Sequence, residues 1–130
     1  MWEIFQPSRQ LPGIVEISAE HLSVLLEPLS SKLIILDLRP RDEVQRYPHM
    51  IPGALLTTEA DLGALIAWMP SGMWVVLYAT DRIPRSCSRL HPLRNDLSFY
   101  VLTDGLRAWW RAGLAMESVD LYSGSVRAGR

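Results

Sequence analysis

The 130-residue sequence predicts an α/β fold: one domain with an about five-stranded, mostly parallel sheet and helices on both faces. Three observations predict it. Two apolar runs, "KLIILDL" (32–38) and "WVVLYA" (74–79), do not alternate with polar residues. That suits strands covered on both faces, as in a parallel sheet. Strand-like and helix-like segments take turns along the chain with short connections, the pattern of β-α-β units. Hydrophobic residues are 48% of the chain, enough to fill one core in a chain of single-domain size.

The elements follow in order. "IVEIS" (14–18) is short and β-branched, follows the Pro12-Gly13 turn signal, and reads as the first strand. Ser18 is a good N-cap for the helix "AEHLSVLLE", with Ile17 and Leu22 placed as a hydrophobic staple and Pro28 as the stop. "KLIILDL" is the second strand, and "RDEVQRY" (41–47) a short helix ended by Pro48. "MIPGALL" (50–56) is a turn entering a short strand. "TEADLGALIAWM" (58–69) has Leu62, Leu65, Ile66 and Met69 at helical spacing, with Thr57 or Thr58 as cap. After "WVVLYA" comes a loop, then a helix over about 86–95 in which Pro92 fits only the first turn or a kink. "SFYVLT" (98–103) is a strand, Asp104-Gly105 a turn, and "LRAWWRAG" the last helix, ended by Gly113. Domain boundaries fall at 1–13, an N-terminal extension; 14–117, the folded domain; and 118–130, a small polar, flexible tail.

Composition narrows the function. A net charge of -1 gives no basic stripe for nucleic acid. No apolar stretch approaches the roughly 18 residues that span a bilayer, and "MWEIFQPSRQ" is not a signal peptide. One cysteine excludes an internal disulfide and a zinc cluster, and fits a reducing, cytoplasmic setting. The histidines His21, His49 and His91 fall in three separate elements, so no metal and no cofactor is expected.

In open parallel sheets, ligands sit beyond the carboxyl ends of the strands. The 79–86 loop, Ala79, Thr80, Asp81, Arg82, Ile83, Pro84, Arg85 and Ser86, occupies such an end. A strand entering a tight loop and then a helix offers backbone N–H groups and a positive helix end to an anion, and Arg85 at the helix start adds a charge-assisted fork. Ser86 is expected to cap that helix. Asp81 and Pro84 work against the anion, one by charge and one by lacking an N–H. The alternative is an ordinary strand-to-helix turn with solvated arginines. Asp37 and Arg39 in "LDLRPRDEV" read as structural ion pairing, with Asp37 accepting loop N–H groups and Arg39 reaching Glu43. Cys87 falls in the first helical turn, where the dipole lowers a thiol pKa, yet as a small residue just after the loop it more naturally packs the helix on the sheet. Of the pair Trp109-Trp110, one packs on the sheet and the other faces solvent.

Taken together over about 14–117, these pieces resemble a single-domain rhodanese-like (sulfurtransferase) module. "ILDLR" matches the family's strand ending in Asp-x-Arg, at Asp37 and Arg39. Glu43 falls on its acidic helix position. "HMIPGA", with His49, Pro52 and Gly53, matches its His-Ile-Pro-Gly-Ala loop with one extra residue. "VVLYA" matches the strand ending in Tyr-Cys, and Arg85-Ser86 the Arg-Ser that opens the next helix. "DGLRAW", with Gly105 and Trp109, matches Gly-Gly-x-x-x-Trp, with Asp104 in place of the first glycine. The resemblance implies a loop cysteine that attacks a sulfane sulfur donor and holds a persulfide, stabilised by backbone N–H groups and the arginine. Here that position is Ala79, and alanine is no nucleophile. Five residues separate Ala79 from Arg85, where the family's sulfurtransferases usually have four; the longer loop resembles that of the phosphatases and arsenate reductases of the same fold. The expectation is a domain without the family's sulfur-transfer activity, acting as a binding or regulatory module for an unknown protein partner or a small anion. The alternative is a sulfurtransferase using Cys87 as a displaced nucleophile.

Overall fold

A computed structural model of the chain describes residues 13–119, Leu11, and the backbone of Gln6–Pro7. The expected tail beyond 119, and most of the expected N-terminal extension, lie outside the described residues. The elements are β1 (Gln6–Pro7), β2 (Val15–Ile17), α1 (Ala19–Leu25), β3 (Leu33–Asp37), α2 (Arg41–Arg46), β4 (His49–Met50), β5 (Leu55–Leu56), α3 (Glu59–Ala67), β6 (Trp74–Tyr78), a 3-10 helix (Arg85–Arg89), α4 (Leu90–Leu93), β7 (Ser98–Leu102), α5 (Gly105–Arg111) and β8 (Glu117–Ser118).

The main sheet runs β1-β2-β7-β6-β3-β5. Five of its strands are mutually parallel, and β1 joins the β2 edge antiparallel. The fold class read from the sequence is therefore the observed one, with the short β1 added from within the N-terminal extension. A separate antiparallel pair joins β4 to β8, so Ser118, the first residue of the expected tail, pairs with His49.

The two apolar runs lack alternation because each face of the sheet has its own core. On one face Leu36, Val75, Leu77 and Phe99 pack with Leu62 and Ile66 of α3 and Leu90 of α4. On the other, Ile35, Val76, Tyr78 and Tyr100 pack with Leu22 of α1 and with Leu106 and Trp109 of α5. The helix starts follow local chemistry. Ser18 Oγ accepts from the His21 N–H at the head of α1, and Thr58 Oγ1 from the Asp61 N–H at the head of α3.

One element differs from expectation. The single helix over about 86–95 is instead a five-residue 3-10 segment followed by the four-residue α4. Pro92 has no N–H to donate, so a regular helix cannot be carried through it. Nor does Ser86 cap this segment: Pro84 takes the cap position with no side-chain hydrogen bond, and Ser86 Oγ bonds the Glu59 carboxylate instead.

Candidate functional site

The carboxyl ends of β3 and β6 bring Asp37, Tyr78 and Ala79 side by side, because Asp37 pairs with Tyr78 across the two parallel strands. Asp37 is 0% exposed and Arg39 5% exposed. A charge so buried must be paired and hydrogen-bonded throughout. Arg39 Nε lies 3.1 Å from both Asp37 carboxylate oxygens, and Nη2 lies 2.9 Å from Oδ2. The Arg39 backbone N–H donates to Oδ1 at 3.0 Å, and the Tyr78 hydroxyl donates to Oδ2 at 2.7 Å. Arg39 then spends its other donors on the Tyr47 and His49 carbonyls, at 2.9 and 2.8 Å. The Ile51 N–H donates to the Tyr78 oxygen at 3.2 Å. Burial foremost, and then the Asp37 charge, hold the Tyr78 phenol far above its usual pKa. The Asp37 carboxylate is thus consumed in joining β3, β6 and the chain around β4, which is the structural ion pairing that the sequence suggests.

The partner of Arg39 is a correction. It pairs with Asp37 and not with Glu43. Arg39 is interior, and only Asp37 offers a carboxylate at that depth. Glu43, half-buried on α2, takes the Thr80 hydroxyl at 2.6 Å. His49 meets the Tyr47 ring edge-on at 5.0 Å. Gly53, in the turn after Pro52, donates its N–H to Glu117 Oε1 at 2.9 Å.

The loop leaves β6 with Ala79 at 7% exposure. Its start is tied to the head of α5, where the Leu106 N–H donates to the Ala79 carbonyl at 2.9 Å and the Arg107 N–H to the Thr80 carbonyl at 3.3 Å. Asp104 and Gly105 both adopt positive φ, 59° and 64°, to make this junction. A Cβ on Gly105 would come within 2.6 Å of the Ala79 carbonyl oxygen and 2.5 Å of that of Thr80, so only glycine fits. Trp109 is buried behind it and donates Nε1–H to the Ala115 carbonyl at 2.8 Å. Asp81 is paired with Arg107 of α5, with Nε 3.1 Å from Oδ1. Nothing in the sequence points to that pair, since 26 residues separate the two.

Further along, Ile83 enters the core. Among the described residues the backbone N–H groups of Thr80, Asp81, Arg82, Ile83 and Arg85 have no hydrogen-bond acceptor, and the Arg82 and Arg85 side chains have no partner. A cavity of about 960 Å³ opens over Ala79 between the loop, α2 and α3. Arg41 and Arg82 line it together with the acidic Glu43, Glu59 and Asp81; Arg85 is not in its lining. Arg82, rather than the Arg85 singled out from the sequence, is the loop cation facing this space.

Cys87 lies outside the cavity lining, 1% exposed in the core with Leu62, Ile66 and Leu90. Burial, and behind it the Glu59 charge, push its thiol up to about 12. Cys87 thus sits as the packing residue that the sequence reading favours, and desolvation acts against the thiolate that a helix dipole would support. Among the described residues no group of His, Cys, Asp and Glu is placed to hold a metal ion. Nor is any helix there long and apolar enough to cross a membrane.

No protein-family model matches the sequence, and no curated protein matches it. Solved structures do. A Rhodopseudomonas palustris protein described as a possible tyrosine phosphatase superposes with TM-score 0.65 at 20% identity, over 80% of this chain and 85% of that one. A thiosulfate sulfurtransferase from Pseudomonas aeruginosa superposes with TM-score 0.62 at 26% identity, over 79% of this chain and only 20% of that one. The rhodanese-like domain of an Anabaena protein superposes with TM-score 0.57 at 23% identity, over 88% of this chain and 86% of that one. With its five parallel strands, its helices on both faces and its loop after the central strand, the chain has the rhodanese-like fold.

Proposed function

We propose that this rhodanese-like domain is a binding or regulatory module without sulfurtransferase activity, and that its 79–86 loop holds a small anion or an acidic group of a protein partner. The observation that carries the reading is Ala79. It directly follows β6 and borders the cavity, where the fold's sulfurtransferases are expected to place their nucleophile. A methyl group can neither attack a sulfane sulfur nor hold a persulfide. Cys87, the one thiol, supports the same reading: it is buried and its thiolate is disfavoured. Support for anion binding comes from the unpaired N–H groups of the loop and from Arg82 on the cavity wall. The proposal includes a cytoplasmic setting, where a lone thiol stays reduced.

Two assays test it. Cyanide-dependent thiocyanate formation from thiosulfate is expected at the buffer rate; a clear enzyme-dependent rate overturns the reading. Sulfate is expected to raise the melting temperature of the native chain, and to do so less in Arg82→Ala. Equal shifts in both proteins remove the anion site.

A further inference from the structure

A second cavity, of about 650 Å³, lies between α2 and α5; it shares Arg39, Glu43, Thr80 and Asp81 with the cavity over Ala79 but is not lined by Ala79 or Arg82. Its size falls in the range of ligand pockets, about 300–1,000 Å³. Two aromatic side chains line it. Trp110 of α5 is 60% exposed, while its neighbour Trp109 fills the core. Tyr47, at the end of α2, is braced by His49 against its ring and by Arg39 on its carbonyl. An indole left open on a cavity wall is a large apolar surface with nothing yet covering it. Around it stand Arg46, Arg107 and Arg111. Arg46 holds an exposed ion pair to Asp42, and such a pair is weak and easily exchanged, while Arg107 stays paired with Asp81. Arg111 has no partner among the described residues. The two carboxylates of the lining, Glu43 and Asp81, are already engaged by Thr80 and Arg107.

We propose that this α2–α5 cleft binds a planar aromatic group carrying negative charge, stacked on Trp110 and held by Arg111. The chemistry needed is a flat π-face beside an acid, and the cleft offers an indole face beside guanidinium groups. The occupant is a free aromatic carboxylate, for which a cleft of this size is suited. The site adjoins the 79–86 loop through Thr80 and Asp81, but its proposed contacts, Trp110 and Arg111, lie outside that loop.

The test is a titration of the isotope-labelled full chain with naphthoate, following the Trp110 indole N–H signal by NMR. Acetate and naphthyl methanol serve as the acid-only and ring-only controls. Naphthoate is expected to move that signal and to bind roughly tenfold more tightly than either control. Trp110→Ala and Arg111→Ala, both surface changes, are each expected to abolish that advantage, while Arg82→Ala leaves it intact. Naphthoate binding no tighter than acetate, or unchanged by Trp110→Ala, overturns the proposal. A competing Glu-Tyr-Glu peptide is expected to displace naphthoate only at higher concentration than naphthoate itself; displacement at lower concentration points to a protein segment and overturns the free ligand.

Discussion

At the scale of single residues, the chemistry of this domain is decided by two side chains and one network. On the proposed reading Ala79 stands in place of the nucleophile, and Cys87, buried in the core, does not replace it. The Asp37–Arg39–Tyr78 network shows why charged residues sit at the end of an apolar strand: they tie two strands to a loop. Asp37→Ala leaves Arg39 buried and unpaired, and is expected to cost about 3–5 kcal/mol in urea unfolding. A loss below about 1 kcal/mol contradicts that role for the network. The buried acids also set the alkaline limit. Folded Cys87 keeps its proton to about 12, against an ordinary value of 9.0. Above 9.0 the unfolded chain therefore binds fewer protons than the folded one, and stability falls as pH rises. Tyr78 and Tyr100, both raised, add to the decline above about 10. Urea unfolding across this range is expected to show a flatter early decline in Cys87→Ala. An identical slope in the two proteins contradicts the buried thiol.

At the scale of elements, the loop is held by the head of α5 as much as by its own residues. Gly105 lets the Leu106 and Arg107 N–H groups reach the Ala79 and Thr80 carbonyls. Gly105→Ala is expected to destabilise by about 2–3 kcal/mol, because both strain and a clash must be relieved. Asp104 is different. It holds φ 59° with no side-chain cap bond, so Asp104→Gly is expected to stabilise by about 0.5–1 kcal/mol in thermal melts. Unchanged melting contradicts strain at that residue. The same scale shows what the sequence made legible. Doubly covered strands announce themselves by unbroken apolar runs, and the capped helices by Ser18 and Thr58. The helix after the loop was not legible, because Pro92 permits several short geometries and the choice depends on how Ile83, Cys87 and Leu90 reach the core. The partner of Arg39 is not legible in the sequence, because helical spacing suggests Glu43, whereas depth of burial selects Asp37. The Asp81–Arg107 pair and the Tyr47–Trp110 cleft join distant segments, which only the folded chain brings together.

At the scale of the whole molecule, a parallel sheet with two cores presents one candidate functional edge, at the carboxyl ends of β3 and β6, and two cavities open there with Arg39, Glu43, Thr80 and Asp81 in common. On the proposed reading the sheet and the loop are the rhodanese-like frame with alanine at the position where a nucleophile is expected. The central claim is that no sulfur chemistry remains in it. Intact mass spectrometry after exposure to thiosulfate, and separately to a stronger persulfide donor, tests this most directly, because any sulfur bound as a persulfide must sit on Cys87. The expected result is an unchanged mass with native protein under both donors. A gain of one sulfur atom that is then passed to cyanide contradicts the account and makes Cys87 the nucleophile.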